Sequence, residues 1–215
     1  VGLTEGAAMR YIDLTISDYL DALASKQPTP GGGTASAIAL CQSASLVAMV
    51  ANLTIGNDKY QDGWPASKTA LSLSISARES AGQLAEQDSD AFDQVMSAFR
   101  MAKTTEEEKI QRRKMIRQAT LVAAQVPYET ALLAIELLES MKHLSHNCNA
   151  NAVSDIGVAA LLATAGCKGA LFNVEINLNS LPSDVGVTLR NGIADINDQC
   201  RALSKEIMHN VKSRL

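Results

Sequence analysis

The sequence predicts an all-α protein, a bundle of about six to seven helices around two central helices rich in small residues. Three observations carry this. Apolar residues make up 47% of the 215 but aromatic residues only 4%, a balance that suits close-packed helices better than a sheet sandwich. Two long apolar segments, TASAIALCQSASLVAMVANLTIG over 34–56 and IGVAALLATAGCKGALFNVEINLNS over 156–180, are dominated by Ala, Ser and Gly, which let neighbouring helices approach closely. The rest of the chain is amphipathic at helical period, with connections dense in Gly, Pro and Asn.

Each element follows from local signals. Thr15 and Asp18 have the spacing of a capping box, and Tyr19, Leu20 and Leu23 continue it as a short helix ending near Ser25. After KQPTPGGG, Thr34 is a reasonable N-cap for the first central helix, which runs to about Gly56. NDKYQDGWP over 57–65 is a connection, and Pro65 falls where the first turn of a helix tolerates a missing N–H, so a long helix is expected from about Ala66 to Arg100. Thr104 or Thr105 before three glutamates, followed by basic residues, has the charge order that complements a helix dipole. That charge run reads as a solvated face, and Pro127 either kinks this helix or starts another that ends near Leu144. The second central helix is expected from about Val153 to Leu178, and an amphipathic helix over about 183–211 closes the bundle. Residues 15–215 read as one domain, and 1–14 as an N-terminal extension, partly disordered before Met9.

Composition excludes several function classes. A net charge of −4 with no basic arm leaves no nucleic-acid footprint, so an anionic ligand has to be held by local charge. Gln42, Asn52 and the many Ser and Ala residues of the first apolar segment argue against a membrane span. Cys41, Cys148, Cys167 and Cys200 form no CxxC pair and read as reduced thiols of a cytoplasmic protein. His143 and His146 share a helical face, but no acidic or Cys ligand completes a zinc pattern. The start of the chain lacks the cationic and apolar regions of a signal peptide.

The candidate chemistry lies in two polar approaches to the central helices. Gly31, Gly32 and Gly33 lose more backbone freedom on folding than other residues, so they point to a close approach, either to a ligand or to a packed helix. PGGGTA has no GK[ST] continuation and follows no predicted strand, so it supports neither a P-loop nor a dinucleotide fingerprint. Asn149, Asn151, Ser154 and Asp155 crowd donors and acceptors into one turn, as an ordinary capping array also would, with Asn151 or Ser154 as the cap. The free N–H groups of two such helix starts can converge on one ligand. Asp88 and Asp90 sit two apart in mid-helix and cannot share a face, so exposure is the default for each, and Arg100 and Lys103 suit a helix end for dipole reasons alone.

Taken in order, PTPGGGTASA at 28–37, MVANLTIGNDKY at 49–60, DSDAFDQVMSAFRMAKTTEEEK at 88–109, VPYETA at 126–131, and NANAVSDIGVAALL with NVEINL to 178 resemble the cyclodeaminase/cyclohydrolase family of folate enzymes. That family comprises the cyclodeaminase domain of formimidoyltransferase-cyclodeaminase and the stand-alone methenyltetrahydrofolate cyclohydrolases. Two stretches depart from the pattern, Ala102 where Pro is usual and SHNC at 145–148 where a Gly-containing approach is usual. The resemblance implies an all-α homodimer with a tetrahydrofolate derivative as substrate in a cleft between helices, and no metal or nucleotide cofactor. It implies hydrolysis of 5,10-methenyltetrahydrofolate, cyclisation of 5-formimidoyltetrahydrofolate with loss of ammonia, or both. Asp155 is then expected as the acid/base, with Asp88 second to it. Gly31, Gly32 and Gly33 would lie against the pterin or the one-carbon unit. Lys59, Arg100 and Lys103 would hold a polyglutamate tail, Asn149 and Asn151 the pterin edge, with Asn52, Tyr60 and Ser154 completing the binding set. The alternative is a helical bundle that binds folate without turnover or serves as an interaction module.

Overall fold

The computed structural model describes residues 9–215, and the expected disorder before Met9 falls outside them. Six α-helices form, α1 (Ile16–Leu23), α2 (Gly32–Thr54), α3 (Trp64–Arg100), α4 (Glu106–Asn147), α5 (Val153–Asn179) and α6 (Val187–Lys212), with short 3₁₀ turns at Tyr11–Asp13, Asp58–Gly63 and Ala150–Ala152. No strand occurs among the described residues.

The local signals work largely as expected. Thr15 accepts from the Asp18 N–H, Pro65 sits in the first turn of α3, and Thr105 with Glu108 makes a full capping box. One cap differs. Gly31 is the N-cap of α2, so Thr34 already lies inside the helix and its hydroxyl is free for another use. The other cap expectation also fails, because Ala152 precedes α5 and makes no side-chain cap, while Asn149 caps the 3₁₀ turn before it by accepting from the Asn151 N–H.

Helices α2, α3, α4 and α5 form a four-helix ring in which each packs on the next and α5 closes against α2; α6 lies over the α4–α5 groove. The two central helices run antiparallel. Gly166 packs against the backbone of Ser36, Ser43 donates to the Ala159 carbonyl, and the Thr54 hydroxyl accepts from the Asn149 N–H. Close approach rests on small side chains. Ala44, Ala51, Ala70, Ala81, Ala134, Ala159, Ala160 and Ala163 are fully buried. A Cβ on Gly166 would stand 2.8 Å from both the Ser36 carbonyl and Leu40, so only glycine fits that crossing. By length and composition alone, α2, α4 and the segment 150–179 could each cross a bilayer, yet 50–56% of each apolar window is buried inside the protein, as a bundle core requires.

Pro127 does not start a new helix: α4 continues through it. Proline removes the N–H that would bond the carbonyl four residues earlier, at Ala123. That carbonyl instead accepts from Asn177 Nδ2 of α5 at 2.8 Å. The segment read as an extension is joined to the body from Arg10 onward. Arg10 pairs with Asp13 and with Glu79 of α3, and the Tyr11 N–H donates to Glu86.

Candidate functional site

Helices α3, α4 and α5 continue beyond the point where α2 begins, and the missing turn of α2 leaves a cleft of about 310 Å³. Its floor is the glycine backbone of 31–33 with Pro28 and Thr29. Its walls are Asp88, Phe92 and Val95 of α3, Ala123 of α4, and Asn173, Ile176, Asn177 and Ser180 at the end of α5. The Pro127-freed carbonyl explains how Asn177 is fixed here, since its amide also donates to the Asn173 carbonyl at 2.9 Å. Asn173 in turn donates to the Gly169 carbonyl.

Close approach is required at Gly33. A Cβ there would stand 2.1 Å from Asp88 Oδ1, so glycine is what lets a carboxylate lie against the start of α2. A Cβ on Gly32 would meet nothing closer than Asn173 Nδ2 at 3.7 Å. Asp88 is half-buried, unlike the exposed Asp90, and its Oδ2 accepts from the Thr34 hydroxyl at 3.1 Å. Burial pushes the Asp88 carboxyl above the usual carboxylate range, and hydrogen bonds from the Thr34 side chain and backbone offset part of that rise. The arrangement can therefore exchange a proton with a molecule in the cleft and stabilise a cation there.

The expected residues fall into separated groups. Gly31, Gly32, Gly33 and Asp88 meet in the cleft. Asp155, Ser154, Asn149 and Asn151 lie at the opposite end of the bundle, because α5 runs antiparallel to α2. Asp155 is 18 residues from Asn173 on one helix, about 27 Å at the α-helical rise. The two helix starts therefore do not converge within one chain, and Asp155 does not join Asp88. Asn149 serves the fold, with its amide donating to the Leu53 carbonyl and accepting from the Asn151 N–H. Asn52 and Lys59 with Tyr60 belong to that far end too, the Lys59 ammonium lying 5.4 Å from the Tyr60 ring centre. Arg100 and Lys103 lie beyond the cleft at the α3–α4 tip. Arg100 is 12 residues past Asp88, about 18 Å along α3. Lys59 precedes α3, so within one chain the length of that helix separates it from them. At the tip Lys103 lines a hollow with Arg112, Arg113 and the paired Lys109 and Glu106, so the charge run read as a solvated face borders a hollow in which cations outnumber the one carboxylate.

Thr34, Ser89, Asn173 and Asn177 were not marked as site residues by sequence reasoning. NVEINL held the two asparagines, but nothing in its spacing showed that α5 ends beside the glycines.

Residues 15–188 match the family model described as formiminotransferase-cyclodeaminase, which is most of the chain. The chain belongs to the formiminotransferase-cyclodeaminase family. A methenyltetrahydrofolate cyclohydrolase of Methylorubrum extorquens is 37% identical over 202 residues, covering 94% of this chain and 97% of that protein. The formimidoyltransferase-cyclodeaminase of Mus musculus is 27% identical over 180 residues, and there the match covers only 33% of the longer protein. The crystal structure of formiminotetrahydrofolate cyclodeaminase from Thermotoga maritima superposes with a TM-score of 0.77 at 28% identity, covering 94% of this chain and 96% of that one. Family membership thus agrees with both the helical fold and the motif order that suggested it.

Proposed function

We propose that the protein is a folate-dependent one-carbon enzyme whose main reaction is hydrolysis of 5,10-methenyltetrahydrofolate to 10-formyltetrahydrofolate, with Asp88 as the acid/base. The observation that carries the assignment of Asp88 is its half-buried carboxylate against the Gly33 backbone, in the one cleft that also gathers the glycine run. The 37% identity to a methenyltetrahydrofolate cyclohydrolase over 94% of this chain and 97% of that protein supports this direction. The substrate carries its own cation, so the reading uses no metal or nucleotide cofactor. Asp88 stabilises the amidinium and takes a proton from the attacking water. The tetrahedral adduct then breaks its bond to N5, which receives that proton from Asp88, and the adduct's hydroxyl proton leaves to solvent as the formyl group forms on N10.

Cyclodeamination is the second reading, favoured by the likeness to the Thermotoga cyclodeaminase. It passes through a tetrahedral centre at the same carbon and suits the same carboxylate. One assay separates them: the near-ultraviolet band of methenyltetrahydrofolate disappears on hydrolysis and grows, with ammonia, when 5-formimidoyltetrahydrofolate is cyclised. Binding without either change would leave the non-catalytic folate-binding module.

The same reading includes a polyglutamate tail running from the cleft toward Arg100 and Lys103, no nucleic-acid or membrane partner, and a cytoplasmic location, for which the four free cysteines are supporting evidence. It also includes a homodimer. On α5, Val158, Leu161, Phe172 and Ile176 are 48–69% exposed at helical spacing, an apolar face that suits burial against a second copy.

A further inference from the structure

The Asp88 carboxylate is the inner end of a chain of hydroxyls. Tyr11 OH lies 3.0 Å from Ser89 Oγ, Ser89 Oγ lies 3.1 Å from Thr34 Oγ1, and Thr34 Oγ1 lies 3.1 Å from Asp88 Oδ2. Three separate elements supply the links: the 3₁₀ turn at Tyr11–Asp13, α3 and α2. Thr34 is fully buried and Ser89 6% exposed. Hydroxyls inside helices commonly turn back to the carbonyl four residues earlier, as those of Ser36, Thr54 and Thr130 do in this protein. Ser89 and Thr34 point to each other instead.

Chemistry fixes the direction of the bonds. An ionised carboxylate only accepts, so the single Thr34 proton goes to Asp88. Ser89 must then donate to Thr34, and Tyr11 to Ser89. The relay holds Oδ2, while Oδ1 lies against the Gly33 backbone at the cleft floor. Aligned donors in a chain polarise one another and hold the charged form of the group they end on.

We propose that Thr34, Ser89 and Tyr11 are positioning residues, a hydroxyl relay that fixes the orientation and the proton affinity of Asp88. The inference rests on the reading of Asp88 as the acid/base. Other charges around Asp88 are few. Helix α2 carries no charged side chain, and α4 and α5 present Ala123, Asn173 and Asn177 to the cleft. On α3, Asp90 is exposed and Glu86 is held by the Tyr11 N–H. Just before the 3₁₀ turn, Arg10 is engaged by Asp13 and Glu79. The relay is therefore the main polar influence on this carboxyl within its own chain.

The test is infrared difference titration of the Asp88 carboxyl, its band identified by loss in Asp88→Asn, alongside the pH profile of kcat/KM for methenyltetrahydrofolate hydrolysis. Removing a hydrogen bond to a charged group by Thr34→Val should raise the Asp88 midpoint by about one pH unit and move the acid limb of the profile upward with it. Thr34→Ser should restore both. Tyr11→Phe, a half-exposed position that carries the test if Thr34→Val does not fold, should shift them in the same direction by less. Unchanged midpoints in folded Thr34→Val, or in Tyr11→Phe where only that variant folds, would overturn the relay and make these hydroxyls structural fillers. A wild-type protein that leaves methenyltetrahydrofolate intact would defeat the functional reading, while the infrared midpoint would still decide the relay.

Discussion

At the scale of single residues, Asp88 is placed where function and stability oppose each other. Its carboxyl titrates above the ordinary range because burial disfavours the charge. A carboxyl whose folded pKa is raised contributes stability that is present at low pH and is lost as pH rises through the folded pKa. Asp88→Asn removes that loss, so its melting temperature at pH 7 should equal or exceed the parent's, while kcat falls by roughly 10²- to 10⁴-fold. Thermal melts at pH 4 and pH 7 check the sign, since the advantage of the variant should shrink in acid. Gly33→Ala behaves differently. Its Cβ meets the movable end of Asp88 rather than backbone, so it should displace the carboxylate and cost turnover while the helical fold remains, as circular dichroism would show. The resemblance gives Asp88 as a second carboxylate and the glycines as a ligand-facing backbone, without joining the two; the fold is what brings them together. Asp155 ranks above Asp88 in the sequence reading because a carboxylate at a helix start is favoured in its ionised form, and helical spacing does not show which end of a helix meets which.

Among the elements, the helix positions were legible within a few residues because caps, Pro65 and the apolar runs are local signals. What was not local was missed. Thr34 reads as a cap until the structure shows α2 starting two residues earlier, and Pro127 reads as a break because its compensation, Asn177, is 50 residues away in another helix. That compensation is testable. Asn177→Ala should leave the Ala123 carbonyl without its inter-helix donor and destabilise the protein by about 1–3 kcal/mol. In a Pro127→Ala background the restored N–H can bond that carbonyl, so the same substitution should cost distinctly less. Equal costs in the two backgrounds by denaturant titration would separate Asn177 from Pro127. Gly166→Ala tests the crossing of α2 and α5. Its Cβ would press on the Ser36 carbonyl, which cannot move aside as a side chain tip can, so the melting temperature should drop clearly.

The whole molecule adds what neither residues nor helices show: the antiparallel ring sets the glycine cleft at one end and the Asn149–Asp155 turn at the other, and exposes an apolar face along α5 between them. In the proposed homodimer that face is covered. Phe172→Asp, at 69% exposure, should leave the monomer folded and convert the assembly to a single chain by light scattering. A mass already equal to one chain in the parent would remove the dimer from the account. If one carboxylate in the glycine cleft carries the chemistry, the decay of the methenyltetrahydrofolate absorbance will separate the parent, Asp88→Asn and Asp155→Asn measured side by side. Decay should be rapid with the parent, close to the uncatalysed rate with Asp88→Asn, and near-parental with Asp155→Asn. Near-parental turnover by Asp88→Asn together with a dead Asp155→Asn would contradict the assignment of Asp88.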